Sequence, residues 1–146
     1  MMEFDTRPAT LDDRAQLYEL YASVLKVHIS KIWSWDESWQ QNDFYDHFVP
    51  EQIRVAVVDG QVIAYIHVEP RDGAPHVRMM CVRPEYQRKG IGTALLKSVI
   101  QNSSARQQDI TLLVFRINTK ARRFYERLGF EVCGETATHY EMKRKA

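Results

Sequence analysis

Apolar positions along this 146-residue chain change period several times, and each change marks an element. Residues 3–7 predict a short edge strand. Thr10-Leu-Asp-Asp13 fits a capping box, and Leu17, Leu20, Tyr21, Val24 and Leu25 then recur at helical spacing. Ser34-x-x-Glu37 predicts the cap of a second helix running to about Phe48, with Pro50 just beyond its end. Residues 53–58 and 61–69 read as strands around Asp59-Gly60, a two-residue hairpin signal. The second of these is apolar on both faces at first, which predicts cover on both sides, and His67 and Glu69 share one face at its end. Residues 70–75 read as a turn and 76–82 as the next strand. Ile91, Ala94, Leu95, Ser98 and Val99 give a helix, and residues 110–116 a strand. Asn118 then starts a helix whose face is Ala121, Phe124, Tyr125 and Leu128, with Gly129 as its terminator. Residues 130–134 and 139–143 predict a final hairpin. The order is β-α-α-β-β-β-α-β-α-β-β, an α/β fold.

Composition narrows the class. The length suits one domain over residues 1–146, and 45% hydrophobic with 27% charged residues is the balance of an ordinary globule. No apolar run approaches the ~18 residues of a membrane span, and the N-terminus lacks the basic start and apolar core of a signal peptide, so a cytoplasmic protein is expected. Cys81 and Cys133 lie in strand-like runs without metal-ligand spacing, and the expectation is two reduced, buried thiols. His28, His47 and His139 are scattered, so no metal is expected. Residues 1–73 carry 6 basic and 13 acidic side chains (−7), residues 74–146 carry 14 and 6 (+8). The basic half suits an anionic ligand and the acidic half a cationic one.

The chemistry concentrates between the strand ending at Val82 and the helix starting at Ile91. The short loop there carries Arg88 and Lys89 and ends in Gly90 and Gly92. Glycine permits a sharp turn and a close approach of backbone to ligand. The helix start offers unpaired N–H groups and a partial positive charge. Together these make a phosphate cradle. A P-loop is excluded because Lys89 precedes the glycine, and a dinucleotide fingerprint because Leu95 stands where its third glycine would fall.

Gln87-Arg88-Lys89-Gly90-Ile91-Gly92 instead resembles the pyrophosphate loop, Gln/Arg-x-x-Gly-x-Gly/Ala, of the GCN5-related N-acetyltransferase (GNAT) family. Cys81-Val82-Arg83-Pro84-Glu85-Tyr86 is similar to that family's usual run into the loop. Asn118-x-x-Ala121-x-x-Phe124-Tyr125, followed by Gly129-Phe130, resembles its second signature. The resemblance covers nearly the whole chain and implies a mixed central sheet flanked by helices. It implies acetyl-CoA as cofactor, with residues 87–93 (Gln87, Arg88, Lys89, Gly90, Ile91, Gly92, Thr93) on the pyrophosphate. Met80, Cys81 and Val82 match the strand end that pairs with the pantetheine arm, and Asn118 and Ala121 belong to the second cofactor motif.

By the same resemblance the expected function is acetyl transfer to a primary amine of a small molecule, peptide N-terminus or lysine, by direct attack on the thioester. A coenzyme A-binding sensor or scaffold is the alternative reading. A lysine-type amine has a pKa near 10.4, so its neutral form costs roughly 4–5 kcal/mol to reach at pH 7 and a proton acceptor is needed. Glu69 is the first candidate base, with His67 and His76 after it. Tyr125 is the expected general acid for the leaving thiolate. The segment between the first two helices walls the acceptor in this family, which brings in Trp33, Trp35 and Asp36, the indoles offering an aromatic face to a cation. Nucleic acid is not an expected partner, because the basic residues sit within the cofactor motifs and net charge is only +1. Relatives often pair, which leaves a homodimer open.

Overall fold

The computed structural model describes residues 3–146. Its strands are β1 (Asp5–Pro8), β2 (Ile53–Val58), β3 (Gln61–Arg71), β4 (Ala74–Val82), β5 (Ile110–Phe115), β6 (Glu131–Glu135) and β7 (His139–Arg144). Its helices are α1 (Arg14–Ile32), α2 (Glu37–Asp46), α3 (Ile91–Ala105) and α4 (Thr119–Arg127). The strand order β1-β2-β3-β4-β5-β7-β6 matches the expected mixed α/β class. β4 and β5 are parallel, whereas β1–β2, β2–β3, β5–β7 and β7–β6 are antiparallel. Among the described residues no helix is long and apolar enough to cross a membrane.

The described residues form two compact units, each discontinuous in sequence: residues 3–67 with 79–96, and residues 68–78 with 97–146. In the first, the capping box forms. The Thr10 N–H donates to Asp13 Oδ2 at 2.8 Å, and Arg7 adds two N–H bonds to the same carboxylate at 2.8 and 2.9 Å. Leu17, Tyr18, Leu20, Leu25 and Ile29 are the buried stripe of α1. Residues 62–67 of β3 are all buried, so both faces of that strand are covered as the sequence predicts. Asp59 (φ 50°) and Gly60 (φ 76°) make the two-residue turn between β2 and β3.

α1 runs on through residues 28–32, beyond the apolar face that the sequence marks from Leu17 to Leu25. Two local readings change. α2 is capped by Asp36, whose Oδ1 accepts the Trp39 N–H at 3.0 Å, and not by Ser34. Asp36 is an equally good capping residue and has the extended backbone (φ −100°, ψ 106°) that a cap requires. β3 and β4 extend past Pro70 and Pro75 to a tight turn at Asp72 (φ 53°) and Gly73 (φ 79°). Two prolines suggested a longer turn, but edge-tolerant extended positions accept proline.

In the second unit β7 lies between β5 and β6, and α4 ends at Gly129, whose φ of 94° is the left-handed geometry expected of a helix terminator. The expectation for Cys133 fails. A register shift between Val132 and Gly134 leaves it as the extra residue of a bulge, and it is exposed with its thiol 3.6 Å from the Glu141 carbonyl oxygen. Cys81 is buried as expected, and burial pushes its thiol up to about 12.

The Asp13 cluster makes a direct prediction. Arg7 and Thr10 hold its carboxyl below the usual aspartate value, so its contribution is complete above about pH 4 and is lost as pH falls through the folded pKa. Asp13→Asn is expected to cost about 1–3 kcal/mol in urea unfolding at pH 7. The gap from wild type should then close on acidification below about pH 4.

Candidate active site

In the first unit, the strand-to-helix connection after β4 is braced at several points. The Arg83 N–H donates to the Ile63 carbonyl at 2.8 Å, and its guanidinium Nε donates to the Val62 carbonyl at 3.1 Å. One 3-10 turn, Pro84–Tyr86, follows, and the Gln87 side-chain amide donates back to the Val82 carbonyl at 3.0 Å. Arg88 then takes φ 62° and Gly90 φ 84°. Gly90 serves as the cap of α3, its carbonyl accepting the first helical bond from the Ala94 N–H at 3.0 Å. The N–H groups of Ile91, Gly92 and Thr93 therefore precede the first intrahelical bond. Nothing approaches within 4 Å of where a Gly90 Cβ would stand. Arg88, Lys89 and Gly90 are exposed, while Ile91 is buried and anchors the helix start. The result is a cationic loop leading into the unpaired N–H groups of a helix start, with open space at Gly90, which fits a pyrophosphate.

Upstream, Met80, Cys81 and Val82 form the end of β4. The ladder with β5 covers His76–Thr111 and Val77–Leu112, so these three residues lie past its last paired position. Arg83 turns its N–H to β3, and strand alternation directs those of Val82 and Met80 to the opposite edge.

Also in this unit, Glu37 clamps α1 to α2. Tyr18 donates to its Oε1 and the Trp35 indole to its Oε2, both at 2.7 Å, and these bonds hold the carboxyl below the usual glutamate value. Lys26 Nζ sits 5.9 Å from the Trp35 ring centroid. Trp35 and Asp36 thus both hold structural positions at the helix junction, whereas Trp33 is 51% exposed. His67 is buried with Nε2 2.8 Å from the Gln52 amide oxygen, Oε1.

In the second unit, Asn118 is the cap of α4, its Oδ1 accepting the Ala121 N–H at 3.2 Å. Tyr125, two turns on, lies on the same side of the helix and is buried, its ring edge-on to Phe130 at 5.7 Å. The Arg122 guanidinium lies over the Tyr140 ring at 4.5 Å and fixes α4 against β7. Glu69 faces Arg71 at 3.5 Å and Arg78 at 3.7 Å. His76 is buried with Nδ1 2.8 Å from Thr111 Oγ1.

Among the expected residues, then, the structure brings together Met80 to Val82 with the 87–93 loop in one unit, and Asn118, Ala121 and Tyr125 in the other. Sequence reasoning missed Arg83, whose bonds to β3 set the loop's entry. It also missed the Arg71–Glu69–Arg78 group and the Thr111 partner of His76. Only the charge alternation along β3 and β4 carried any signal for the arginines, and none pointed to Thr111.

Residues 49–132, more than half of the chain, match the Acetyltransferase (GNAT) domain family. The L-amino acid N-acetyltransferase AaaT of Escherichia coli is 31% identical over 132 residues, covering 86% of this chain and 76% of that one. The chain belongs to the GNAT acetyltransferase family. An uncharacterized N-acetyltransferase of Methanocaldococcus jannaschii is 36% identical over 84 residues, covering 56% of this chain; the chain spans about half (53%) of that relative's length. The fold matches a crystal structure of the PaiA N-acetyltransferase of Thermoplasma acidophilum in complex with coenzyme A, with a TM-score of 0.81 at 20% identity over 99% of this chain and 100% of that one. As a GNAT protein the chain is an acyltransferase that uses acetyl-CoA to acetylate an amine.

The left-handed backbone at Gly90 generates a prediction. Gly90→Ala is expected to lower stability by about 1–2 kcal/mol despite the open space around it, because the strain lies in the backbone. Urea unfolding reads this directly.

Proposed function

We propose that this GNAT protein transfers the acetyl group directly to the α-amino group of a free amino acid. The acceptor class rests on the activity named for the E. coli relative. The observation that carries the direct-transfer reading is the sequence of donors in the first unit: the end of β4, then the positive-φ loop, then the orphan N–H groups of α3.

Acetyl-CoA supplies an activated thioester. The chain's own groups do the rest. Gln87 braces the loop through Val82, while Arg88, Lys89 and the N–H groups of Ile91, Gly92 and Thr93 hold a pyrophosphate. Met80 and Val82 offer edge N–H groups, donors of the kind that stabilise developing negative charge on a carbonyl oxygen. Cys81, buried between them, packs the strand rather than reacting. Asn118 spends its oxygen on the α4 cap and keeps its NH2 as the donor toward the cofactor. Ala121 keeps that face of the helix small. Tyr125 delivers a proton to the departing thiolate, a task that suits a phenol protonated at neutral pH. Trp33, half exposed beside the α1–α2 junction, offers an aromatic face to an acceptor; Trp35 and Asp36 shape that junction.

Free-thiol release from acetyl-CoA against amino acids, polyamines, aminoglycosides and N-terminal peptides tests this reading. Amino acids are expected to stimulate turnover most. Tyr125→Phe is expected to lower kcat about 100-fold, at the low end of general-acid effects, with acetyl-CoA affinity unchanged in calorimetry. A Tyr125→Phe protein as fast as wild type with its best acceptor would remove Tyr125 from the acid role.

A further inference from the structure

In the second unit one sheet face is packed and the other is open. Ile110, Leu112 and Val114 of β5 are buried on the packed face, with Met142 of β7 beside them. Tyr140 shares that face of β7 and lies under the Arg122 guanidinium of α4. Strand alternation turns Thr111, Leu113 and Phe115 the other way. There Leu113 is 47% exposed, and its register partner Glu141 is exposed as well. Cys133, exposed in the β6 bulge, places its thiol 3.7 Å from Glu141 Oε1.

The ladders set rows of side chains across this open face. His76, Thr111 and Lys143 share one level. Val77 pairs with Leu112 and Leu113 with Glu141, so Arg78, Leu113 and Glu141 share the next level on the same face. From β4 to β7 that row reads cation, apolar, anion. Arg78 meets Glu69 at 3.7 Å, a single contact for a group with five N–H donors. All of these residues belong to the second unit.

We propose that a second copy of the chain docks on this face, the two sheets stacked about a two-fold axis that runs along β5. Such an axis sets Leu113 against Leu113 of the second copy and reverses the row. Arg78 of each copy then meets Glu141 of the other, an ion pair made twice. Stacked sheets lie about 10 Å apart, a gap that facing leucines fill and that an arginine and a glutamate span together. At the neighbouring level His76 meets Lys143 of the second copy. Burial, with Arg71 and Arg78, holds that ring below the usual histidine value against the pull of Glu69 and Glu141, so the level adds no opposed pair of cations. Self-complementarity selects a second copy over other partners, because one row carries both halves of the pair in the order an isologous contact needs.

Sedimentation equilibrium of the full chain, 17.2 kDa, reads the assembly. The expected wild-type result is a rise with concentration toward twice that mass. Arg78→Glu and Glu141→Arg each set like charges together at both contacts, and each is expected to weaken self-association at least about tenfold. Mixed in equal amounts, the two variants are expected to restore association, because a mixed pair joins opposite charges at both contacts. Leu113→Thr keeps a strand-favouring residue at a half-exposed position and is expected to weaken association about tenfold with the far-ultraviolet circular dichroism unchanged. That variant decides the matter if a charge reversal does not fold. A wild type that stays at one mass into the millimolar range overturns the proposal. A dimer that the folded substitutions leave intact also overturns it, because that dimer forms on another face. A mixture no more associated than its two components overturns the two-fold pairing of Arg78 with Glu141.

Discussion

Two residue pairs join β4 to β5, His76–Thr111 and Val77–Leu112, and the strand then continues to Val82 beyond that ladder. Backbone polar groups need partners, and a strand edge without a neighbouring strand is a template for any extended chain of amides. The pantetheine arm of coenzyme A is such a chain, with amide groups spaced along an extended tether. The proposed cofactor geometry follows from this edge. In that proposal the ligand pairs with the edge by backbone-like hydrogen bonds, and the bend that begins at Arg83 would lead its next stretch to the donors of α3. Arg83 matters here because its two bonds to β3 fix where the strand stops.

Glycine and capping chemistry explain which parts of this were legible in the sequence. Asp59-Gly60 and Gly129 were readable because a left-handed backbone is a local demand that few residues meet. The Thr10–Asp13 capping box was readable for the same reason, being complete within four residues. The loop at residues 87–93 needed both its glycines and its family resemblance, since alone it is a short basic turn.

Failures of the sequence reading came where two local choices were nearly equal or where tertiary contacts decided. Ser34 and Asp36 are both good caps, and the backbone chose the aspartate. Cys133 sits in an apolar-looking run, yet a bulge turns it outward. Trp35, bonded to Glu37, and Asp36, the cap of α2, also carry bonds at the helix junction that no spacing announced. No spacing rule connects His76 to Thr111, which stand 35 positions apart and meet only because the sheet places them side by side. Glu69 likewise meets Arg71 and Arg78, at 3.5 and 3.7 Å, through the turn that joins β3 to β4.

Amide hydrogen exchange at Met80 and Val82, followed by NMR with and without coenzyme A, tests the central claim most directly. If the β4 edge receives the pantetheine arm, both amides slow by at least about tenfold on binding, together with those of residues 91–93. Binding that perturbs residues 91–93 while Met80 and Val82 exchange at their unliganded rates would contradict the account, because the cofactor would then be held at its phosphates without pairing along the strand.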